Sequence, residues 1–323
     1  MRVKSRLALS LVLFVLAAPG VALAQVARVE VIPFQTTTLT DQQFLTGQRE
    51  GKPVTIAGEL RIPKPGTERL PAVVLIHGSG GIGGNVDEWA QFINGMGVAT
   101  FVIDSFTGRG LVSTMSDQSK LGRLVGVMDA FRALELLAKH PRIDPGRIAV
   151  MGFSRGGQAA LYASVKRFQR KHAPPDVAYA LYMPFYPDCI TTYIDDADVS
   201  DKPIRIFHGS ADDYDPVAFC RSYVDRLRKA GKDVVLTEYA DAQHAFDISS
   251  LKAPVKVTDA QTTRHCQLRE GAEGVVINGQ TGQRFSYADA CVELGPTVAY
   301  NAKAFAEAQK AVRAIITALA APK

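Results

Sequence analysis

Ser154 lies in the run Gly152-Phe153-Ser154-Arg155-Gly156, directly after the apolar residues 148–151 and just before a helix-like segment over 158–168. A serine flanked by glycines at a strand-to-helix junction is placed for nucleophilic chemistry. The glycines suit a turn too tight for a β-carbon. Such a turn pushes the Ser154 hydroxyl out at the carboxyl end of its strand and leaves the Arg155 amide free to bind an oxyanion. A serine hydroxyl is a poor nucleophile at neutral pH. It needs a histidine base and a carboxylate to orient that base.

Both occur downstream, the carboxylates first. Residues 204–208 read as a core strand, and the loop after it carries Asp212, Asp213 and Asp215 before Pro216. Residues 234–239 read as the last strand, with His244 in the loop beyond. Asp212 is the favoured acid; Asp213 and Asp215 are its competitors, and the cluster would otherwise cap a helix beginning near Pro216. A second Gly-rich loop, His77-Gly78-Ser79-Gly80-Gly81, follows the apolar run 72–76. Its amides can approach a ligand closely, so the Ser79 amide, with Gly80 next, is expected to complete an oxyanion hole with that of Arg155. The loop lacks the Gly-Lys-Thr/Ser and dinucleotide-binding spacings of phosphate sites. His77 and His208 each precede a glycine at a strand end and read as structural hydrogen-bonders. Gly80, Phe106, Arg109 and Tyr214 are candidate substrate contacts, with Arg155 and Tyr186 nearby. Arg109 or Arg155 would pair with a substrate carboxylate or else be solvated loop charges.

The elements that must position these groups follow from the apolar pattern. Val54, Ile56, Leu60 and Ile62 alternate with polar residues, as an antiparallel edge strand would. Residues 72–76 and 98–103 are continuous apolar runs, as in strands covered on both faces, and 178–183 reads as another. A short helix is predicted over 86–96. Leu121, Leu124, Met128, Phe131 and Leu134 recur at helical spacing up to Pro141. Asp144-Pro145-Gly146 turns into the strand before Ser154. Further helices are predicted over 216–231 and from Pro296 to about 319, the latter with Phe305, Val312 and Ile316 on one face. Alternating strands and helices predict an α/β fold, a mostly parallel central sheet with helices on both faces. Residues 105–118 are polar and Gly-rich at a strand's carboxyl end, where substrate loops belong. Residues from about 249 to 295 form an excursion that breaks the alternation.

Residues 1–24 have the pattern of a secretory signal: Arg2, Lys4 and Arg6, an apolar run over 7–18, a Pro19-Gly20 break and Ala22-Leu23-Ala24. The apolar run is too short to cross ~30 Å of hydrocarbon, so no stable membrane insertion is expected after cleavage. A single domain over 25–323, periplasmic or secreted from a bacterial envelope, is predicted. The whole chain has 37 Lys and Arg against 32 Asp and Glu. Removing residues 1–24 takes three basic residues and leaves 34 against 32, a balance of +2. No basic run points to nucleic acid. The four cysteines, an even number in an exported chain, predict disulfides, and Cys189–Cys220 with Cys266–Cys291 are favoured because each closes a short loop. No zinc-ligand spacing occurs, and the chemistry calls for neither metal nor cofactor. The oligomeric state is open.

The order of these pieces resembles the dienelactone hydrolase family of α/β-hydrolases. The matching segments are His77-Gly-Ser-Gly-Gly81, Asp104-Ser-Phe-Thr-Gly-Arg-Gly110, Gly152-Phe-Ser-Arg-Gly156, Gly209-Ser-Ala-Asp212 and His244-Ala-Phe246, spread over about residues 50–250. The resemblance implies an α/β-hydrolase fold and cofactor-free hydrolysis of a small-molecule ester, with Ser154 as nucleophile, Asp212 as acid and His244 as base. The chain departs from the namesake lactone hydrolases in carrying Ser where they carry a Cys nucleophile, which leaves ester against lactone open. It resembles an exported, serine-nucleophile branch of the family. The alternatives are an amide or peptide hydrolase on the same three residues, or a non-catalytic binding protein that keeps the fold, which would need a broken triad.

Overall fold

The computed structural model describes residues 26–321, so the signal expected over 1–24 lies outside the described residues. In chain order the large sheet contains β1 (Arg28–Thr38), β2 (Lys52–Ile62), β3 (Leu70–Ile76), β4 (Ala99–Asp104), β5 (Ile143–Phe153) and β6 (Leu181–Phe185). The two-residue β7 (Thr191–Thr192) belongs to a small separate sheet, and β8 (Ile204–Gly209) and β9 (Val234–Tyr239) complete the large one. Its spatial order is β1-β2-β4-β3-β5-β6-β8-β9. β1, β2 and β4 pair antiparallel, and every pair from β4 to β9 is parallel. From β3 the chain goes to β4 on one side and later to β5 on the other. The strand order therefore reverses between β3 and β5, the position at which open α/β sheets leave a crevice at their carboxyl ends.

The helices are α1 (Asp41–Thr46), α2 (Gly84–Asn94), α3 (Val125–Ala138), α4 (Arg155–Tyr162), α5 (Lys166–His172), α6 (Val217–Lys229) and α7 (Ala302–Ala320). All seven residues of β3 are buried, and they alternate between two cores. Ala72, Val74 and Ile76 pack with α3, α4 and α6. Val73 and Leu75 pack with Trp89 of α2 and with Phe305, Val312 and Ile316 of α7. Apolar runs in the middle strands and amphipathic helices on both sides are two aspects of this one arrangement.

Several boundaries differ from the pattern-based expectation: Asp144-Pro145-Gly146, expected as a turn, lies within β5, and the strand expected from 178 begins at Leu181. The strand around 54–62 is second from the edge, because β1 pairs along its whole outer side. The pattern hides β1, since Val29 and Val31 point to solvent at 54% and 71% exposure. The helix expected over 158–168 is broken at Val165, whose extended backbone bridges to Val199 while Lys166 N–H bonds to Asp198 O (2.9 Å). α3 starts at Val125 rather than Leu121, its entry held by the Leu124 amide on the Asp41 carboxylate (2.9 Å). The last helix begins beyond its cap Asn301 rather than at Pro296, because residues 297–298 pair as a strand in the excursion.

That excursion contains β10 (Val255–Lys256), β11 (Gln261–Thr262), β12 (Leu268–Glu270), β13 (Val276–Asn278), β14 (Glu293–Leu294) and β15 (Thr297–Val298). β10 pairs with β15, β11 with β14, and β12 with both β13 and β7. Cys266 is bonded to Cys291 within it, and Cys189 is bonded to Cys220, joining the loop after β6 to α6. The β7–β12 pairing and the Arg167–Glu270 ion pair fasten the excursion to the body.

Arg109, a candidate substrate contact, is spent on the fold instead. Its guanidinium makes two bonds to the Asp129 carboxylate (2.7 and 2.8 Å), one to Ser105 O (2.6 Å) and one to Thr38 Oγ1 (2.9 Å). Thr36 also donates to Asp129 (2.8 Å). The pair thus ties β1, the loop after β4 and α3 together with almost no solvent contact. Removing one member of a buried pair strands the other charge and costs about 3–5 kcal/mol. Asp129→Ala should lose that much stability in urea denaturation; an unchanged midpoint would refute a structural role for the pair.

Candidate active site

The elbow after β5 is built by close backbone approach. A β-carbon on Gly152 would sit 2.0 Å from Gly156 O, one on Gly156 2.1 Å from Ile76 O, and one on Gly157 2.4 Å from Phe185 O. Ser154 between them has φ 54° and ψ −118°, a region that costs a non-glycine residue about 1–3 kcal/mol. Its amide donates to Phe185 O (3.0 Å), and its carbonyl accepts from Gln158 N (2.8 Å). Arg155 is the first residue of α4, so helix geometry leaves its amide without an intrahelical partner, at the positive end of the helix dipole. The Arg155 guanidinium turns inward, bonding Leu121 O (2.9 Å), Gly122 O (3.2 Å), Gln118 O (3.0 Å) and Gln118 Oε1 (2.9 Å). It is thus neither a solvated loop charge nor held by a carboxylate, and its burial pushes its pKa down.

The loop after β3 closes on the elbow. A β-carbon on Gly78 would lie 3.2 Å from Phe153 O and 3.3 Å from Ser154 Cβ. Ser79 O accepts from Thr114 N (2.8 Å), and Ser79 Oγ donates to Gln118 Oε1 (3.1 Å). His77 bonds Gly78 O through Nδ1 (2.8 Å) and accepts from Ser105 N at Nε2 (3.2 Å). Burial lowers its pKa, so it is a neutral brace with its proton on Nδ1. His208, buried with its pKa lowered, sits in the same way against Gly209 O (3.2 Å).

The loops after β8 and β9 meet because Gly209 lets them: a β-carbon there would lie 2.2 Å from Ala242 O. Asp212 Oδ2 and His244 Nδ1 are 2.8 Å apart, both groups buried. Asp212 Oδ1 accepts from the amides of Tyr214 and Asp215, each at 2.9 Å. Burial alone would raise the Asp212 carboxyl, but the His244 charge and hydrogen bond hold it below the usual carboxylate range. Burial likewise works against a charged His244, yet Asp212, with Asp215 and Asp247 behind it, raises the imidazole pKa. The other acids are placed differently. Asp213 turns to Arg264 Nη1 (3.3 Å) and the Thr297 amide (2.7 Å). Asp215 Oδ2 is 4.0 Å from His244 Nδ1, and burial and the Asp188 charge push its carboxyl far up. α6 has no side-chain cap, so neither of these acids serves the capping role the loop suggested.

Asp247 escapes a sequence reading. Fully buried three residues past His244, it accepts from Tyr186 Oη (2.6 Å), Trp89 Nε1 (2.8 Å) and Asn85 Nδ2 (3.2 Å). This clamp draws the His244 loop onto α2. Above it, the His244 ring lies between those of Tyr186 and Tyr214, with both centroids 4.7 Å away.

Ser154 and His244 face one cavity of about 220 Å³, bordered by Ser79, Gly80, Tyr186 and Tyr214 and floored by apolar residues. Of the candidate contacts, Gly80 and Tyr214 line it. Phe106 instead packs on His77 (centroids 4.4 Å apart) and against Leu121 and Val125, and Arg109 is held by Asp129. A carboxylate–imidazole pair on the same cavity as a partly buried turn serine, with free helix-start amides, is equipped to move a proton off a hydroxyl and stabilise negative charge on a nearby oxygen.

Residues 56–267 match the model of the dienelactone hydrolase family. Among solved structures, the chain is similar to a dienelactone hydrolase-like promiscuous phosphotriesterase from metagenomic libraries, at 18% identity with a TM-score of 0.57, over 90% of this chain and 98% of that one. It is also similar to a protein called m3DLH, at 19% identity with a TM-score of 0.56, over 91% of this chain and 99% of that one. These likenesses are of fold. No curated protein matches the chain by sequence.

The buried geometry predicts that the His244 imidazole titrates above 6.5, the ordinary value. Asp212→Asn should bring its pKa down, since the largest favourable charge is lost while burial stays. Ring ¹H–¹⁵N NMR across pH 5–9 reads both; equal His244 midpoints in the two proteins would contradict the pairing.

Proposed function

Because the chain belongs to the dienelactone hydrolase family, we propose that it is an exported serine hydrolase that cleaves carboxylic esters of small molecules through an acyl-enzyme on Ser154. The observation that carries this reading is the 2.8 Å Asp212–His244 contact on the same cavity wall as Ser154 in its strained turn. In this reading His244 Nε2 takes the Ser154 proton as the hydroxyl oxygen attacks the ester carbonyl. Asp212 keeps the Nδ1 proton in place and steadies the imidazolium. The amides of Arg155 and Ser79 hold the oxyanion. His244 then gives its proton to the departing alcohol, and a water, deprotonated by the same nitrogen, releases the acid. The signal-like residues 1–24 and the two disulfides favour a periplasmic or secreted location.

The test is direct. Wild-type protein should react with a fluorophosphonate probe and hydrolyse p-nitrophenyl esters, and Ser154→Ala should do neither, with kcat/KM falling on the order of 10⁴–10⁶-fold. Absence of labelling in folded wild-type protein would dismiss the serine hydrolase reading, and equal labelling of both would dismiss Ser154. Matched anilides separate an esterase from an amidase, which should cleave them at comparable rates.

A further inference from the structure

Asp247 is fully buried, yet its hydrogen bonds come only from neutral groups: Tyr186 Oη (2.6 Å), Trp89 Nε1 (2.8 Å) and Asn85 Nδ2 (3.2 Å). Among the described residues it joins no ion pair. Three donors converging on two oxygens suit a carboxylate, which only accepts; an amide would turn protons of its own toward them. Burial raises the pKa of the Asp247 carboxyl, and the three donors work against that rise. A charge kept in such a place acts strongly on any cation that forms nearby. The cation that forms nearby is the His244 imidazolium, three residues back in the chain. The same clamp grips strained backbone. Tyr186 (φ 34°) and Ala245 (φ 59°) have positive φ without being glycine. Tyr186 covers one face of the His244 ring, and Ala245 follows His244 directly. Main-chain bonds hold the loop from one flank, Ala299 N to His244 O (3.1 Å) and Asn301 N to Phe246 O (2.9 Å). The Asp247 side chain ties it to α2 and to the residue after β6.

We propose that Asp247 is a positioning residue for the reaction: it fixes the His244 ring through Tyr186 and the loop, and its buried charge stabilises the imidazolium that forms as Ser154 gives up its proton. This rests on the esterase reading above. The other groups facing His244 leave that task to two carboxylates. Asp212 meets Nδ1 at 2.8 Å. Asp215 stands 4.0 Å from the same nitrogen, lines a smaller, polar pocket beside Ser154 that His244 does not line, and is pushed toward its neutral form by burial and the Asp188 charge. His208, 3.7 Å from Asp212, is buried with its pKa lowered. Tyr186 and Tyr214, on the two faces of the ring, are kept uncharged by burial. Val298 and Ala299, against the His244 main chain, carry no charge. On α2, Glu88 turns to Ser249 Oγ (3.0 Å) rather than to Asp247. Asp212 and Asp247 are thus the two negative charges left to balance an imidazolium. Asp212 orients the ring by a direct bond, and Asp247 acts from behind it, through the tyrosine and through space.

The experiment follows p-nitrophenyl acetate hydrolysis by the full protein across about pH 5–9, beside ring ¹H–¹⁵N NMR of His244. Asp247→Asn should lower kcat about 10-fold or more while KM stays within about two-fold. It should also move the acid limb of kcat/KM, and the His244 NMR midpoint with it, to lower pH, because loss of a nearby negative charge favours the neutral imidazole. Tyr186→Phe keeps the charge and frees the ring, so kcat should fall while the acid limb stays in place. A purely structural role would lower Tm and leave the acid limb and the NMR midpoint where they are, and that result in Asp247→Asn overturns the proposal. Should Asp247→Asn not fold, wild-type kcat in Tyr186→Phe overturns it. No ester turnover by the wild type strikes at the esterase reading itself, and the His244 midpoints of wild type and Asp247→Asn, which need no turnover, still judge whether Asp247 acts on the imidazole.

Discussion

There is no room for a β-carbon on either side of the turn that carries Ser154, and the rest of the site hangs on that closeness. Gly152 and Gly156 touch across the turn, Gly156 rests on the end of β3, and Gly157 rests on the end of β6. Three adjacent strands and the start of α4 are thereby locked at one point. The serine's strained backbone persists because buried strands hold it from below and the Phe185 and Gln158 hydrogen bonds hold it from either side. The loop after β3 lies directly on the elbow, where a β-carbon on Gly78 would come within 3.2 Å of Phe153 O and 3.3 Å of Ser154 Cβ. A site made this way owes its precision to main-chain contacts, which change little when side chains move.

A turn at the carboxyl end of buried strands also sets an electrostatic condition. Groups around it lose water, so each charge needs partners supplied by the fold. Asp212 has two amides and His244. Asp247 has a tyrosine, a tryptophan and an asparagine. Asp188 has Arg123, and Asp129 has Arg109 and Thr36. Asp215 is the exception. Close to His244 and Asp188 without a matching cation of its own, it is driven toward its protonated form. Two aspartates three residues apart are thus pushed in opposite directions, Asp212 down by His244 and its amide donors and Asp215 up by burial and the Asp188 charge.

The excursion explains why the pocket beside Ser154 is polar. Thr262, Thr263 and Tyr287 come from it, and they meet Arg123 and Asp188 from the body of the sheet. Its short strands bury little apolar surface, and its small core is centred on the Cys266–Cys291 bond together with Ile190 and Leu268. A region of this kind is held by cross-links and by edge pairing such as β7 with β12, so its shape depends on contacts between segments far apart in the chain.

Much of the architecture was legible in the chain. The middles of β3, β4 and β5 are almost wholly apolar because both faces are covered, and α2, α3, α6 and α7 show their stripes, so an α/β sheet follows from periodicity alone. The glycines around Ser154, and Asp212 and His244 in loops after core strands, could be picked out because steric need and chemistry restrict residue type at each place, and their order through the family resemblance. What the chain could not show lay in pairings between distant segments. β1 was hidden by its outward valines, the break after α4 depends on Val199, and the start of α7 depends on a strand pairing with residues 255–256. The same holds within the site. Arg109 and Arg155 look alike as loop arginines, yet one is matched by a buried carboxylate from α3 and the other by main-chain carbonyls. By itself the sequence determined the turn, the residue types at the site and the class of fold, because those are imposed by backbone sterics and local burial. Only the tertiary structure decided which aspartate meets His244, that Asp247 anchors its loop, and that the two sides of Ser154 differ in polarity, because each depends on which distant groups share a space without water.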